Sequence, residues 1–165
     1  MAEMAARELA IFVDDEYRKS STPMQVSGRP IYFPSRFHFL DTVGREDING
    51  RASPAAQCLL SRSTDGYLRQ RALKAILNLR ESWITPFVVL LIGDYVVEIV
   101  EDIQSSLPSL DQDIYKDFVR ENRDVMRTLR SKAVSYWDAH YRDQFPDRAA
   151  YPSLVVLRQL EEWAS

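Results

Sequence analysis

Apolar residues at the start of the chain, Ala5, Leu9, Phe12, Val13 and Tyr17, recur close to once per α-helical turn, while Arg7, Asp14, Asp15 and Arg18 fall largely elsewhere. The spacing predicts a helix over 2–19. From Ser20 to Pro54 the texture changes: Pro23, Pro30, Pro34 and Pro54 and Gly28, Gly44 and Gly50 interrupt any helical period. Within it, "IYFPSRFHFL" alternates Ile31, Phe33, Phe37 and Phe39 with Tyr32, Arg36 and His38, the period of an extended segment. A long stretch without regular elements is unusual in a compact domain unless it packs or functions, so 20–54 is expected to be loop, or loop with short strands, packed as an aromatic arm. Helical signals return after Pro54. Ser53-Pro54 opens a short helix to Leu60, and Thr64 or Asp65 can cap a second whose apolar face is Leu68, Ala72, Ile76 and Leu79. Thr85-Pro86 opens another, with Ile84 and Val89 placed as a hydrophobic staple. This helix is expected to run on through Gly93 until Leu107-Pro108-Ser109. Ser109 and Gln112 then read as a capping box for a long helix whose stripe runs Tyr115, Phe118, Asn122, Val125, Met126, Leu129, Ala133, Tyr136, Trp137, His140 and Tyr141 before Pro146. Some 34 residues of it would extend about 50 Å at about 1.5 Å per residue. Leu154, Leu157, Leu160 and Trp163 make one face of a short closing helix.

The segment "DGYLRQRALKAIL" resembles the second helix of a HEAT-type repeat, with Asp65, Leu68, Arg69, Ala72, Ala75 and Ile76 in the pattern's places and Pro54 and Leu59-Leu60 upstream. Pro86, Leu90-Leu91, Asp94 and Val97 resemble a second unit, except that Glu98 stands where the pattern has Arg. The resemblance covers residues 53–103. It implies stacked antiparallel helix pairs with an exposed ridge that binds another macromolecule. The fold class expected is therefore all-α in the main, as one domain over 1–165: an irregular helical bundle or a short HEAT-like stack, with the extended N-terminal arm.

Composition narrows the function. An apolar share of 45% with 27% charged residues is that of an ordinary globular chain. A net charge of −3 disfavours general binding to nucleic acid or to anionic membrane, both of which need excess Lys and Arg. The longest uncharged run, Ser82 to Gly93, has 12 residues against roughly 20 needed to cross a bilayer, and Glu3 and Arg7 break up any secretory signal. Cys58 is the only cysteine, which fits a reducing compartment. A cytoplasmic protein is expected.

Charge is segregated along the chain. Residues 51–80 carry six Arg or Lys against Asp65, whereas 81–113 carry Glu81, Asp94, Glu98, Glu101, Asp102, Asp111 and Asp113 with no base. Spacings of four, three and four place Asp94, Glu98, Glu101 and Asp102 on one helix face. That acidic row can pair with the chain's own basic helix or meet a basic partner. On the long helix, Lys116, Arg120, Arg123, Arg127 and Arg130 form a ridge whose first half has Asp113, Asp117, Glu121 and Asp124 beside it. Arg127, Arg130 and Lys132 have no acid between Asp124 and Asp138, so they form a small basic patch. Carboxylate metal sites in bundles add a Glu-to-His pair at i, i+3 on a facing helix, and the chain has none; no metal and no cofactor is expected.

The histidines are the obvious general bases. His140 lies on the apolar stripe near a helix C-terminus, where an imidazolium is favoured, and His38 sits in the aromatic arm; neither has a nucleophile motif beside it. Two readings stand. The first is a non-enzymatic interaction or adaptor module that binds another protein, a basic one for the acidic row, through Asp94, Glu98, Glu101, Asp102, Arg127, Arg130 and Lys132. The alternative is a small enzyme with His38 or His140 as base in a pocket beneath the arm. A homo-oligomer is also open, because Tyr136, Trp137, Tyr151 and Trp163 exceed what a thin bundle need bury.

Overall fold

The proline- and glycine-rich stretch begins with a hairpin, β1 (Ser21–Val26) and β2 (Arg29–Pro34). Its two-residue loop holds Ser27 at φ 51° and Gly28 at φ 72°, the pair of left-handed conformations that a type I′ turn needs to match strand twist. The computed structural model describes residues 21–34, 36 and 53–165. The helix expected over 2–19, and the part of the arm holding Phe37, His38 and Phe39, lie outside the described residues. Of the arm's alternation, Phe33 is buried and Tyr32 exposed as expected, but Ile31 is also exposed.

Beyond the hairpin the described chain is helical, and it falls into two compact units. The first holds α1 (Pro54–Leu60) packed on α2 (Gly66–Ile76). Ser53 Oγ accepts the Ala56 amide at 3.3 Å, and Asp65 Oδ1 accepts those of Tyr67 at 2.9 Å and Leu68 at 3.3 Å; each satisfies first-turn amides that the helix leaves free. Leu60, Ala72, Leu73 and Ile76 form the core with Cys58. Arg69 is wholly buried there, its Nη1 donating to the carbonyls of Ser63 at 3.1 Å and Thr64 at 3.0 Å. A buried guanidinium is tolerated only where such charge-assisted bonds replace water, so Arg69 fixes the α1–α2 turn.

The second unit comprises the hairpin tip (24–31), α3 (Thr85–Leu91), α4 (Val97–Ser106), α5 (Gln112–Glu121), α6 (Arg123–Tyr136), a π-helical turn (Trp137–Tyr141) and α7 (Pro152–Trp163). Helix α7 packs against α4, α5 and α6. It therefore buries Val156 along with the expected Leu154, Leu157 and Leu160, each contributing about 1.5–3 kcal/mol by its removal from water. Trp163 is only half buried and meets the edge of Tyr115 at 6.4 Å.

Three expected elements are corrected. The helix starting at Thr85 stops at Leu91, because Asp94 Oδ1 accepts the Val96 amide at 3.1 Å and so closes a turn instead of a helix. Gly93 suits that turn: a Cβ there would lie 2.7 Å from Leu129 Cδ2 of α6. Ser109 belongs to a 3₁₀ turn, and the cap of α5 is Asp111, whose Oδ1 accepts the Ile114 amide at 3.3 Å. The long helix is divided at Asn122, whose φ of −127° and ψ of 41° leave the helical region. Of the four aromatics that raised the possibility of an oligomer, Trp137, Tyr151 and Trp163 have ring or hydrogen-bond partners within the chain, and Tyr136 is half buried. Tyr151 is wholly buried and stacks on Tyr141 at 5.5 Å, while Trp137 donates its Nε1–H to the Phe145 carbonyl at 2.8 Å and has the Arg142 guanidinium 5.3 Å from its ring. No helix among the described residues is long and apolar enough to cross a membrane.

Burial pushes the Cys58 thiol up to about 12, raises the Tyr115 phenol, and brings the Tyr151 phenol up to about 12. Ser153 Oγ lies near enough to Tyr151 to favour the phenolate slightly, but not in hydrogen-bonding geometry. All three groups hold their protons more tightly in the folded chain, so their contribution is intact below the unfolded values, near 9 for the thiol and 10 for the phenols; for Cys58 and Tyr151 it is lost as pH rises from there through about 12, and for Tyr115 the loss continues higher. Stability measured by urea unfolding is expected to fall steadily over that alkaline window, and a Tyr151→Phe variant to lose less of it than the parent.

Candidate functional site

Asn122 leaves the helix because its side chain bonds elsewhere. Nδ2 donates to the Phe118 carbonyl at 2.8 Å, and also to the Gln25 carbonyl on β1 at 2.8 Å, while Oδ1 accepts the Gln25 amide at 2.7 Å. A primary amide offers the same donor and acceptor pair as a peptide group, so Asn122 meets β1 as one residue of a neighbouring strand would. The hairpin's geometry makes Gln25 available. In a two-residue hairpin the pair flanking the loop exchanges its hydrogen bonds and the next pair does not. That turns the Gln25 N–H and C=O to the open edge and sets Pro30, which has no N–H, opposite. Two further bonds hold the tip: the Gly28 amide donates to Glu121 Oε1 at 3.1 Å, and the Ser27 and Ser82 hydroxyls are 3.2 Å apart.

The held tip forms one wall of a groove of about 520 Å³. Val26, Ser27 and Ser82 stand on that side; α5 supplies the other with Asp113, Asp117 and Glu121, one helical turn apart each, over Ile114 and Phe118. Asp113 pairs with Lys116 at 3.3 Å, and Glu121 holds Gly28. Asp117 is exposed and makes no ion pair or hydrogen bond among the described residues. The lining thus carries three carboxylates against one base, Arg120. An aqueous cation or a basic side chain is the chemistry that complements it. No group of three or more His, Cys, Asp or Glu among the described residues is arranged to hold a metal ion.

A second groove, of about 400 Å³, lies between the neighbouring face of α5 and α6 and the end of α7, with Arg120, Arg123 and Arg127 around Val119 and Met126. Arg120 donates to the carbonyls of Ala164 at 3.0 Å and Ser165 at 3.3 Å, and Arg127 pairs with Asp124. Of the basic patch expected from the sequence, only Arg127 lines this groove. Arg130 bonds Glu161 on α7, and Lys132 lies beside Gly93.

The expected acidic row is divided as well. Asp94 is 1% exposed and precedes α4, so it does not share the face of Glu98, Glu101 and Asp102. Glu98 is exposed, and Glu101 and Asp102 are half buried. The Tyr141 phenol is raised by burial first and then by Glu98, Asp94 and Glu101 near it; its Oη donates to the Tyr95 carbonyl at 2.7 Å. These acids therefore face an aromatic neighbour of their own chain. His140 is exposed on the π-helical turn, edge-on to Tyr141 at 6.5 Å, and lines neither groove.

Comparison with protein-family models, with curated proteins and with solved structures finds no match to this chain.

Nothing in the sequence pattern marks Asn122 or the hairpin as a site. Asn122 fits an apolar stripe at helical spacing, and the only signal beside it is Ser27-Gly28, a turn dipeptide between two strand-like runs. Removing the amide leaves the Gln25 N–H and C=O without their partner, so Asn122→Ala is expected to destabilise the chain by about 1–3 kcal/mol in urea unfolding. An unchanged midpoint would contradict the clamp.

Proposed function

We propose that the chain is a non-enzymatic interaction module whose acidic groove holds a basic, partly apolar segment of another protein. The observation that carries this is Asp117, unpaired among the described residues, between Asp113 and Glu121 and above the apolar floor of Ile114 and Phe118. Carboxylates there fit Lys or Arg side chains, and the floor fits an apolar neighbour. The segment that supplies Ser82 also exposes Leu79 at 38% and Trp83 at 36%; an exposed indole beside a carboxylate groove adds apolar contact and a face for a cation. Glu98, exposed on α4, and Glu101, half buried there, are further carboxylates that the same class of partner can meet. The module works in the cytoplasm on this proposal, where a buried single thiol needs no partner.

A fluorescent peptide alternating lysine and leucine is the probe. Asp117→Lys is expected to weaken its binding by about tenfold or more, equivalent to about 1.4 kcal/mol, because it sets a like charge in the groove. Asp143→Lys makes the same change of net charge at an exposed position outside the groove and is expected to bind nearly as the parent does. Equal losses in the two variants, measured by fluorescence anisotropy, would show attraction to the whole molecule in place of a groove.

A further inference from the structure

The second groove has the opposite sign and a different floor, and nothing in the acidic groove's chemistry accounts for it. Arg120 and Arg123 are three residues apart across the break at Asn122, and Arg127 follows one turn further along α6. Their guanidinium groups stand in unequal circumstances. Arg120 is anchored on two main-chain carbonyls, Arg127 is answered by Asp124, and Arg123 is exposed with no ion pair or hydrogen bond among the described residues. Met126, 3% exposed, and Val119, 5% exposed, form the base between them. Glu161 also lines the groove, but Arg130 from α6 already occupies its carboxylate.

We infer that this groove is a second binding site, for an acidic segment of a partner protein in which carboxylates alternate with apolar side chains. A planar guanidinium receives a carboxylate through two parallel hydrogen bonds, and among the described residues none of Arg123's donors is taken. The apolar base rewards a side chain beside that carboxylate, which a bare inorganic anion does not provide. A polyphosphate backbone fits less well: Asp124 and Glu161 lie among the arginines and repel a continuous run of phosphates. With the acidic groove, the chain then carries two sites of opposite charge preference on adjoining faces of α5, the arrangement of an adaptor that brings a basic and an acidic segment together.

The test uses the full chain and a labelled peptide alternating glutamate and leucine, read by fluorescence anisotropy. The expected result is saturable binding that Arg123→Glu weakens by about tenfold or more and Arg123→Gln weakens by less. Arg158→Glu makes the same charge change at an exposed position of α7 outside the groove, and it leaves the affinity within about twofold, as rim charges away from a contact do. Thermal melting of each variant close to the parent's shows that the loss is one of contact, and Arg123→Gln carries the comparison if the charge reversal alone lowers the melt. No saturable binding, or equal weakening by Arg123→Glu and Arg158→Glu, overturns the site. Tighter binding of a single-stranded oligothymidylate, abolished by Arg123→Glu, overturns the choice of a peptide and assigns the groove to nucleic acid.

Discussion

The side-chain amide of Asn122 joins the two kinds of secondary structure in the second unit through both main-chain groups of one strand residue. Asn122 sits where a continuous helix would otherwise place a core residue, and it gives up helical dihedrals to bond the Gln25 main chain on both its N–H and its C=O. One bond back to Phe118 compensates the carbonyl that the break would orphan. Hairpins of two strands are marginal by themselves in water. This one is steadied because its open edge meets a group with the hydrogen-bonding pattern of a strand, with Met24 and Val26 buried beside it. The acidic groove follows, since one of its walls is the tip so held.

The break at Asn122 also sorts charge. Along a straight helix the acids Asp113, Asp117, Glu121 and Asp124 and the bases Lys116, Arg120, Arg123 and Arg127 would run side by side and largely cancel through i, i+3 and i, i+4 pairs. Some do: Lys116 meets Asp113, and Arg127 meets Asp124. The rest are divided by their neighbours. The hairpin tip lies over the acids and takes Glu121, and the end of α7 lies over the bases and takes Arg120. Two adjoining grooves of opposite sign result from one mixed sequence. Exposed pairs of this sort contribute little to stability, so the segregation matters for what the surfaces can meet more than for holding the fold.

Much of the fold was legible in residues. The starts at Ser53-Pro54 and Asp65, the apolar face of Ala72 and Ile76, and the closing face of Leu154, Leu157 and Leu160 all follow from periodicity and capping chemistry, and all are found. What was not legible depended on tertiary partners. The apolar run from Phe87 to Ile92 and the row from Val97 to Ile103 look continuous, and only the turn bond of Asp94 and the close approach of Gly93 to Leu129 divide them. Asn122 has the position of a stripe residue and the function of a strand. The charged rows were legible as charge, but not their surroundings: Glu98, Glu101 and Asp102 lie on α4 and line neither groove, Arg130 bonds Glu161, and the two grooves are lined instead by Asp113, Asp117 and Glu121 and by Arg120, Arg123 and Arg127. Periodicity places residues on a face; it does not say which neighbouring element covers that face. The HEAT-type resemblance over 53–103 rests on its motif residues alone.

Amide hydrogen exchange at Gln25 tests the clamp most directly. Its N–H has Asn122 Oδ1 at 2.7 Å as its partner, and no bond across the hairpin protects it. The Gln25 amide is expected to exchange far more slowly than that of an exposed strand edge, and to lose that protection in Asn122→Ala while the α7 amides keep theirs. Fast exchange at Gln25 in the parent chain, or slow exchange that survives the substitution, would contradict the account.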